Sequence, residues 1–193
     1  MGENDVDTDN QQGTPTEAEI AWLAGVLEGE GSFALSMWKR DEESGSVPKA
    51  SVTVKLYNTD AGLVKKAVEI IRRLGIAPYI KEREQKPMQK PGGEGHYCSP
   101  DPMLVVTVSK LEASLVLLKT LRPWLFGNKA ARADLMIAFL EQRLAKHEAH
   151  GVKRVPYDGE DIRLVADFYS RFTRVGIPPA VEGLLNEYRA AHG

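Results

Sequence analysis

Two carboxylates, Glu28 and Glu30, stand in the short run Glu28-Gly29-Glu30-Gly31, at the end of an apolar segment with helical spacing. The last turn of a helix leaves carbonyl oxygens without partners, and these carry partial negative charge. Acids placed there are unfavourable, and two glycines weaken the same turn further. Something positive must offset this, and a bound cation is the simplest candidate. A second set of residues is made of donors and cations: Ser36, Trp38, Arg40, Lys49, Thr53, Lys55, Lys81, Arg83, Gln85 and Thr107. Their alternation with apolar residues puts them on one face of strands, where such groups can meet phosphates and base edges. A solvated strand face is the competing reading of the same residues.

The elements that position these groups follow from the apolar periods. Thr14-Pro15-Thr16-Glu17 predicts a helix start, with Thr14 as cap, Pro15 in the first turn and Glu17 closing a capping box. The helix runs to about Gly29, with Ile20, Leu23, Val26 and Leu27 on one side. Ala21, Gly25 and Gly29 recur every fourth residue along another side, a flat stripe on which a second helix can pack closely. From Ser32 the period changes to two. Phe33, Leu35 and Met37 alternate with polar positions, and Ala50, Val52, Val54 and Leu56 do so after the loop Asp41–Pro48. That pattern predicts a hairpin with one apolar face. Residues 59–74 read as a helix stopped by Gly75. A second pair of strands is expected at Ile76–Gln85 and Met103–Ser109 around a Pro/Gly-rich loop, 86–102, followed by a helix at Leu111–Leu121. Three more helices are expected near 129–149, 159–173 and 179–191. The domain plan is an acidic disordered tail (1–13), a core (14–150) and a C-terminal helical extension packed on it (151–193).

The composition of the 193 residues, 42% hydrophobic and 27% charged, is that of a soluble globular chain. One cysteine, Cys98, excludes an internal disulfide framework and suits a reducing compartment. No apolar run is long enough to span a membrane and no secretory signal pattern opens the chain, which points to a cytoplasmic protein. The net charge of −2 hides an uneven distribution. Residues 1–30 hold eight acids and no Lys or Arg, whereas residues 31–110 hold thirteen Lys and Arg against nine Asp and Glu. The basic middle suits an anionic partner. His96 and Cys98 lack a second ligand pair for zinc, and His147-Glu148-Ala149-His150 has the wrong spacing for a zinc helix.

Leu23-Ala24-Gly25-Val26-Leu27-Glu28-Gly29-Glu30-Gly31 resembles the signature of the LAGLIDADG homing endonucleases over nine consecutive positions, with Glu at both acidic places. The αββαββα order and the Leu121-Arg122-Pro123-Trp124-Leu125 block with Lys129 and Leu135 resemble the same family. The resemblance implies an α+β fold whose antiparallel sheet forms a DNA-binding saddle. It implies Glu30 and the Gly29 carbonyl as metal ligands, with Glu28 in a structural or outer part. Asn58 and Lys129 are the matching catalytic candidates, and Lys65 or Lys66 a further basic group. The implied cofactor is Mg²⁺, replaceable by Mn²⁺, with Ca²⁺ supporting binding without cleavage; no organic cofactor is expected. A single motif implies a homodimer with Ala21, Gly25, Glu28 and Gly29 near its axis, acting on a long pseudo-palindromic DNA duplex. The alternative is a non-cleaving nucleic-acid-binding protein of the same fold, a transcription regulator or an intron-splicing maturase.

Overall fold

The computed structural model describes residues 13–38, 48–84, 88–89, 96–97, 101–152 and 155–192. Residues 1–12 of the expected tail, the Asp41–Val47 stretch of the first loop, Arg40, Gln85 and Cys98 lie outside the described residues. Helix α1 spans Glu17–Glu30 and begins two residues later than the sequence pattern suggested. Two overlapping capping boxes compete here, and the one built on Thr16 and Glu19 forms. The Thr16 hydroxyl accepts the Glu19 N–H at 3.3 Å, and the Glu19 carboxylate accepts the Thr16 N–H at 2.7 Å. The deciding partner is remote: Arg73 donates to Glu19 at 2.7 Å and to the Gly13 and Thr14 carbonyls, which holds the chain extended up to the cap.

At its other end α1 passes straight into strand β1, Gly31–Trp38, with no loop between them. Gly31 is extended, at φ −90° and ψ 154°. The turn is so tight that a Cβ on Gly31 would strike the Leu27 carbonyl oxygen and come within 2.9 Å of the Leu27 Cα. Glycine is required there by close approach, not by its own dihedral freedom.

Strand β2, Lys49–Asn58, pairs antiparallel with β1, and helix α2, Ala61–Arg73, follows it behind an Asp60 cap. Strand β3 is Tyr79–Arg83, shorter than expected, because Ile76 leaves the strand pattern to enter the core. The region expected to be loop carries a small ribbon, β4 at Met88–Gln89 with β5 at His96–Tyr97. Strand β6, Met103–Val108, completes the main sheet, whose order is β1-β2-β6-β3. The two hairpins therefore lie side by side, joined through β2 and β6. Helices α3 (Leu111–Leu121), α4 (Gly127–His150), α5 (Gly159–Phe172) and α6 (Pro179–His192) complete the chain.

Burial alternates along the strands as a half-covered sheet requires. Phe33, Leu35, Met37, Val52, Val54, Leu56, Val106 and Val108 point to the helices and are buried. Each such side chain contributes about 1.5–3 kcal/mol relative to exposure. They meet Leu23 and Leu27 of α1, Leu117, Leu118 and Leu121 of α3, and Met136, Phe139 and Leu140 of α4 in one core. Helix α5 packs on α4 and β1. A buried ion pair ties it there: Arg143 donates to Asp161 at 2.9 Å and to the Val155 and Pro156 carbonyls. Among the described residues, no helix is long and apolar enough to cross a membrane.

Candidate nucleic-acid interface and acidic turn

Antiparallel partners share a face, so the register fixes what the sheet shows away from the helices. Reading from the β1–β2 loop towards α1, Trp38 stands beside Lys49, Ser36 beside Ser51, and Ala34 beside Thr53. The next row crosses all four strands: Ser32, Lys55, Thr107 and Tyr79. Tyr57, Val105 and Lys81 follow, then Met103 and Arg83. Eight of the expected interface residues thus share one face: Ser36, Trp38, Lys49, Thr53, Lys55, Lys81, Arg83 and Thr107. Arg40 and Gln85 are outside the described residues. The face also carries Ser32, Ser51, Tyr57 and Tyr79, which the sequence reading passed over. Their signal was the same alternation, since Ser51 and Tyr57 continue the Thr53-Lys55 parity and Tyr79 that of Lys81. Tyr79 is 65% exposed and Trp38 43%, large aromatic surfaces open to solvent among the described residues.

The acidic turn lies where α1 meets this sheet. Glu30 is exposed and Glu28 half-buried. The Glu28 carboxylate accepts the Phe126 N–H at 2.8 Å, at the start of α4. Lys129, in the first turn of α4, donates to the Glu28 carbonyl at 2.6 Å, to the Gly31 carbonyl at 2.8 Å and to the Leu27 carbonyl. Burial pushes the Lys129 ammonium below the ordinary lysine value; Glu28 and Glu30 oppose that shift and Arg132 adds to it. The negative end of α1, with its two acids, therefore has a cationic partner inside the protein. Along α1, Gly25 and Gly29 are exposed, and a Cβ built on either would meet nothing beyond its own helix backbone within 4 Å among the described residues.

Asn58 lies at the end of β2, as expected. It shares the parity of Leu56 on the helix side of β2, and its Oδ1 accepts the Asp60 N–H at 2.8 Å. That bond shapes the turn into α2, so Asn58 does not join Lys55 on the outer face. Lys66 lies over the Trp22 ring at 4.9 Å, and Lys65 is exposed on α2. Among the described residues, no group of three or more His, Cys, Asp or Glu in one chain is placed to hold a metal ion.

Comparison with known proteins bears on this geometry. Residues 17–110, which contain the acidic turn and the whole main sheet, match the model of the LAGLIDADG-like domain. Over that stretch, just under half of its length, the chain is similar to the LAGLIDADG-like domain. The fold agrees across nearly the full length with solved homing endonucleases. The homing endonuclease I-CvuI, solved with its target in the presence of 2 mM Ca, superposes with a TM-score of 0.57 at 16% identity, covering 89% of this chain and 95% of that one. An archaeal intron-encoded homing endonuclease, I-Vdi141I, complexed with DNA, gives 0.58 at 14% identity, covering 90% and 96%. The group I intron-encoded I-CeuI, also complexed with DNA, gives 0.55 at 17% identity over 89% and 76%. No curated protein sequence matches the chain. These likenesses establish the fold: an antiparallel four-stranded sheet backed by helices, with the LAGLIDADG-like helix α1 leading directly into its first strand.

Proposed function

We propose that this protein is a site-specific, divalent-metal-dependent DNA endonuclease of the homing type that works as a homodimer. The observation that carries the reading is the direct join of α1 to β1. It puts the exposed Glu30 two residues from Ser32, whose row of Lys55, Thr107 and Tyr79 crosses the whole outer face. Acid and phosphate-binding face are thereby held together by the backbone.

The donor set suits a hard divalent ion: a carboxylate on Glu30 and the Gly29 carbonyl at the negative end of a helix, all oxygen. These two groups would hold Mg²⁺, with Mn²⁺ as a substitute and Ca²⁺ as a binding-only ion. When bound, the ion polarises a phosphoryl oxygen and lowers the pKa of a bound water. Glu28 stays an outer group, because its carboxylate is engaged by the Phe126 N–H. Lys49, Lys55, Lys81 and Arg83 neutralise phosphates or read guanine edges, while Ser36, Thr53 and Thr107 donate to backbone oxygens. Each chain offers one acidic turn and a duplex has two strands to cut, so two copies are needed. The open faces of Gly25 and Gly29 let a second α1 approach closely, with Ala21 on the same stripe.

The test is incubation of the protein with the uninterrupted copy of its own locus and Mg²⁺. Double-strand cleavage is expected, and Glu30→Gln should lower it by about 100-fold or more while leaving DNA binding in place. Unchanged cutting by Glu30→Gln would overturn the site assignment. Tight binding without cleavage in Mg²⁺ or Mn²⁺ would instead assign the chain to the non-cleaving binders and maturases of this fold.

A further inference from the structure

We propose that Lys129 is a positioning residue: its ammonium caps the C-terminal turn of α1 from outside the helix and fixes Glu30 and the Gly29 carbonyl, without itself touching DNA. The need for such a cap is visible in the helix. Its last turn contains no basic residue, and Gly31 is extended, so the left-handed glycine closure that satisfies many helix ends is absent. One local bond remains, from the Gly31 N–H to the Leu27 carbonyl. The Lys129 ammonium has three protons and three carbonyl partners within hydrogen-bond reach, those of Leu27, Glu28 and Gly31. They bracket Gly29 and Glu30 on both sides in sequence. The Gly29 carbonyl is not among the three, which leaves it to the metal site. With every proton committed, the ammonium has none to give to a phosphate or to an attacking water.

The element that carries Lys129 is suited to this task. The start of α4 is a positive helix end docked against the negative end of α1, and the Phe126 N–H on the Glu28 carboxylate forms a second tie between them. A long, half-buried side chain from the first turn of α4 then crosses to the turn, with its nitrogen 6.0 Å from the centre of the Phe33 ring. The carbonyls that would repel an acid are neutralised before any metal arrives.

The part of this inference that concerns the metal rests on the nuclease reading; the part that concerns the turn does not. The experiment compares full-length wild type with Lys129→Met and Lys129→Arg. Hydrogen exchange of the Gly31 amide is read without DNA or metal, and the Ca²⁺ concentration for half-maximal DNA binding is read separately. In Lys129→Met we expect Gly31 exchange to speed at least tenfold relative to the amides in the middle of α1. The Ca²⁺ requirement should rise by about 10- to 100-fold, the range seen when a group orienting a metal ligand is lost. Lys129→Arg, which keeps the charge and its donors, should recover part of both. If Gly31 exchange and Ca²⁺ requirement stay at wild-type values while cleavage collapses, Lys129 acts on the substrate and the proposal is overturned. Should Lys129→Met fail to fold, Lys129→Gln, which keeps two donors, takes its place with the same readings. Wild type that neither responds to Ca²⁺ on DNA nor cleaves would sink the nuclease reading, while Gly31 exchange would still decide the cap.

Discussion

The two ends of α1 solve the same problem in opposite ways. At the N-terminus the orphan N–H groups find a partner a few residues away, in the Thr16–Glu19 box, and Arg73 of α2 holds that box rather than the overlapping Thr14–Glu17 one. At the C-terminus the local sequence offers glycine and acid where the helix needs donors, and the remedy comes from Lys129, about a hundred positions later. The bonds of the N-terminal box are made between neighbours in the chain, whereas the cap at the C-terminus exists only where α4 is docked. The motif that defines the domain is thus the least self-sufficient stretch of its own helix.

Substitutions at each end sharpen this contrast. The largest effect is expected at Gly31→Ala, where the added methyl meets the Leu27 backbone and nothing flexible can yield. Equilibrium urea unfolding should show a loss of about 3 kcal/mol, at the upper end of overpacking costs, with DNA cleavage lost alongside. A wild-type midpoint would mean that the α1–β1 join is looser than the structure shows. At the other end, Thr16→Ala removes one local cap bond and should cost about 1 kcal/mol in the same assay, with cleavage by the folded fraction unchanged. A larger loss would indicate that the Arg73 tie depends on Thr16. The smallest effect concerns acid. Hydrogen bonds from Arg73 and then from Thr16 hold the Glu19 carboxyl down at about 2, against 4.5 unperturbed. Because the folded value is depressed, the stability from this carboxylate is fully present above about pH 4.5. It fades as the pH falls towards about 2. Glu19→Gln should flatten that part of the stability–pH curve, measured by unfolding at fixed denaturant; an unaltered acid limb would show that other carboxylates govern it.

The division between local and remote partners also explains what could be read from the sequence. The strand alternations at Phe33–Met37 and Val52–Leu56, and the helix periods of α2, α4, α5 and α6, are set by neighbours two to four residues apart. All of them appear in the structure near their expected limits. The start of α1 was misplaced because two boxes of equal local quality overlap, and only Arg73 chooses between them. Ile76 has strand chemistry, but it is drawn into the core, which a one-dimensional pattern does not register. Within the site, the outer-face residues are legible from parity, Tyr57 and Tyr79 included, although neither is a cation or a small donor. Asn58 sits at the end of β2 as expected, on the parity of Leu56, and its side chain accepts the Asp60 N–H. The engagement of Lys129 has no local signature at all, since it depends on how α4 docks against α1.

The absence of any loop between Glu30 and β1 has a consequence for how such a protein could be retargeted. Along a strand each residue advances about 3.3 Å, nearly the rise of one base pair of duplex DNA. The number of steps from the carboxylate to Ser32, Ser36 or Trp38 is therefore a fixed ruler. If the chain cuts DNA as proposed, exchanging side chains on the outer face would change which letters are recognised, while the distance of those letters from the point of scission would be set by the backbone.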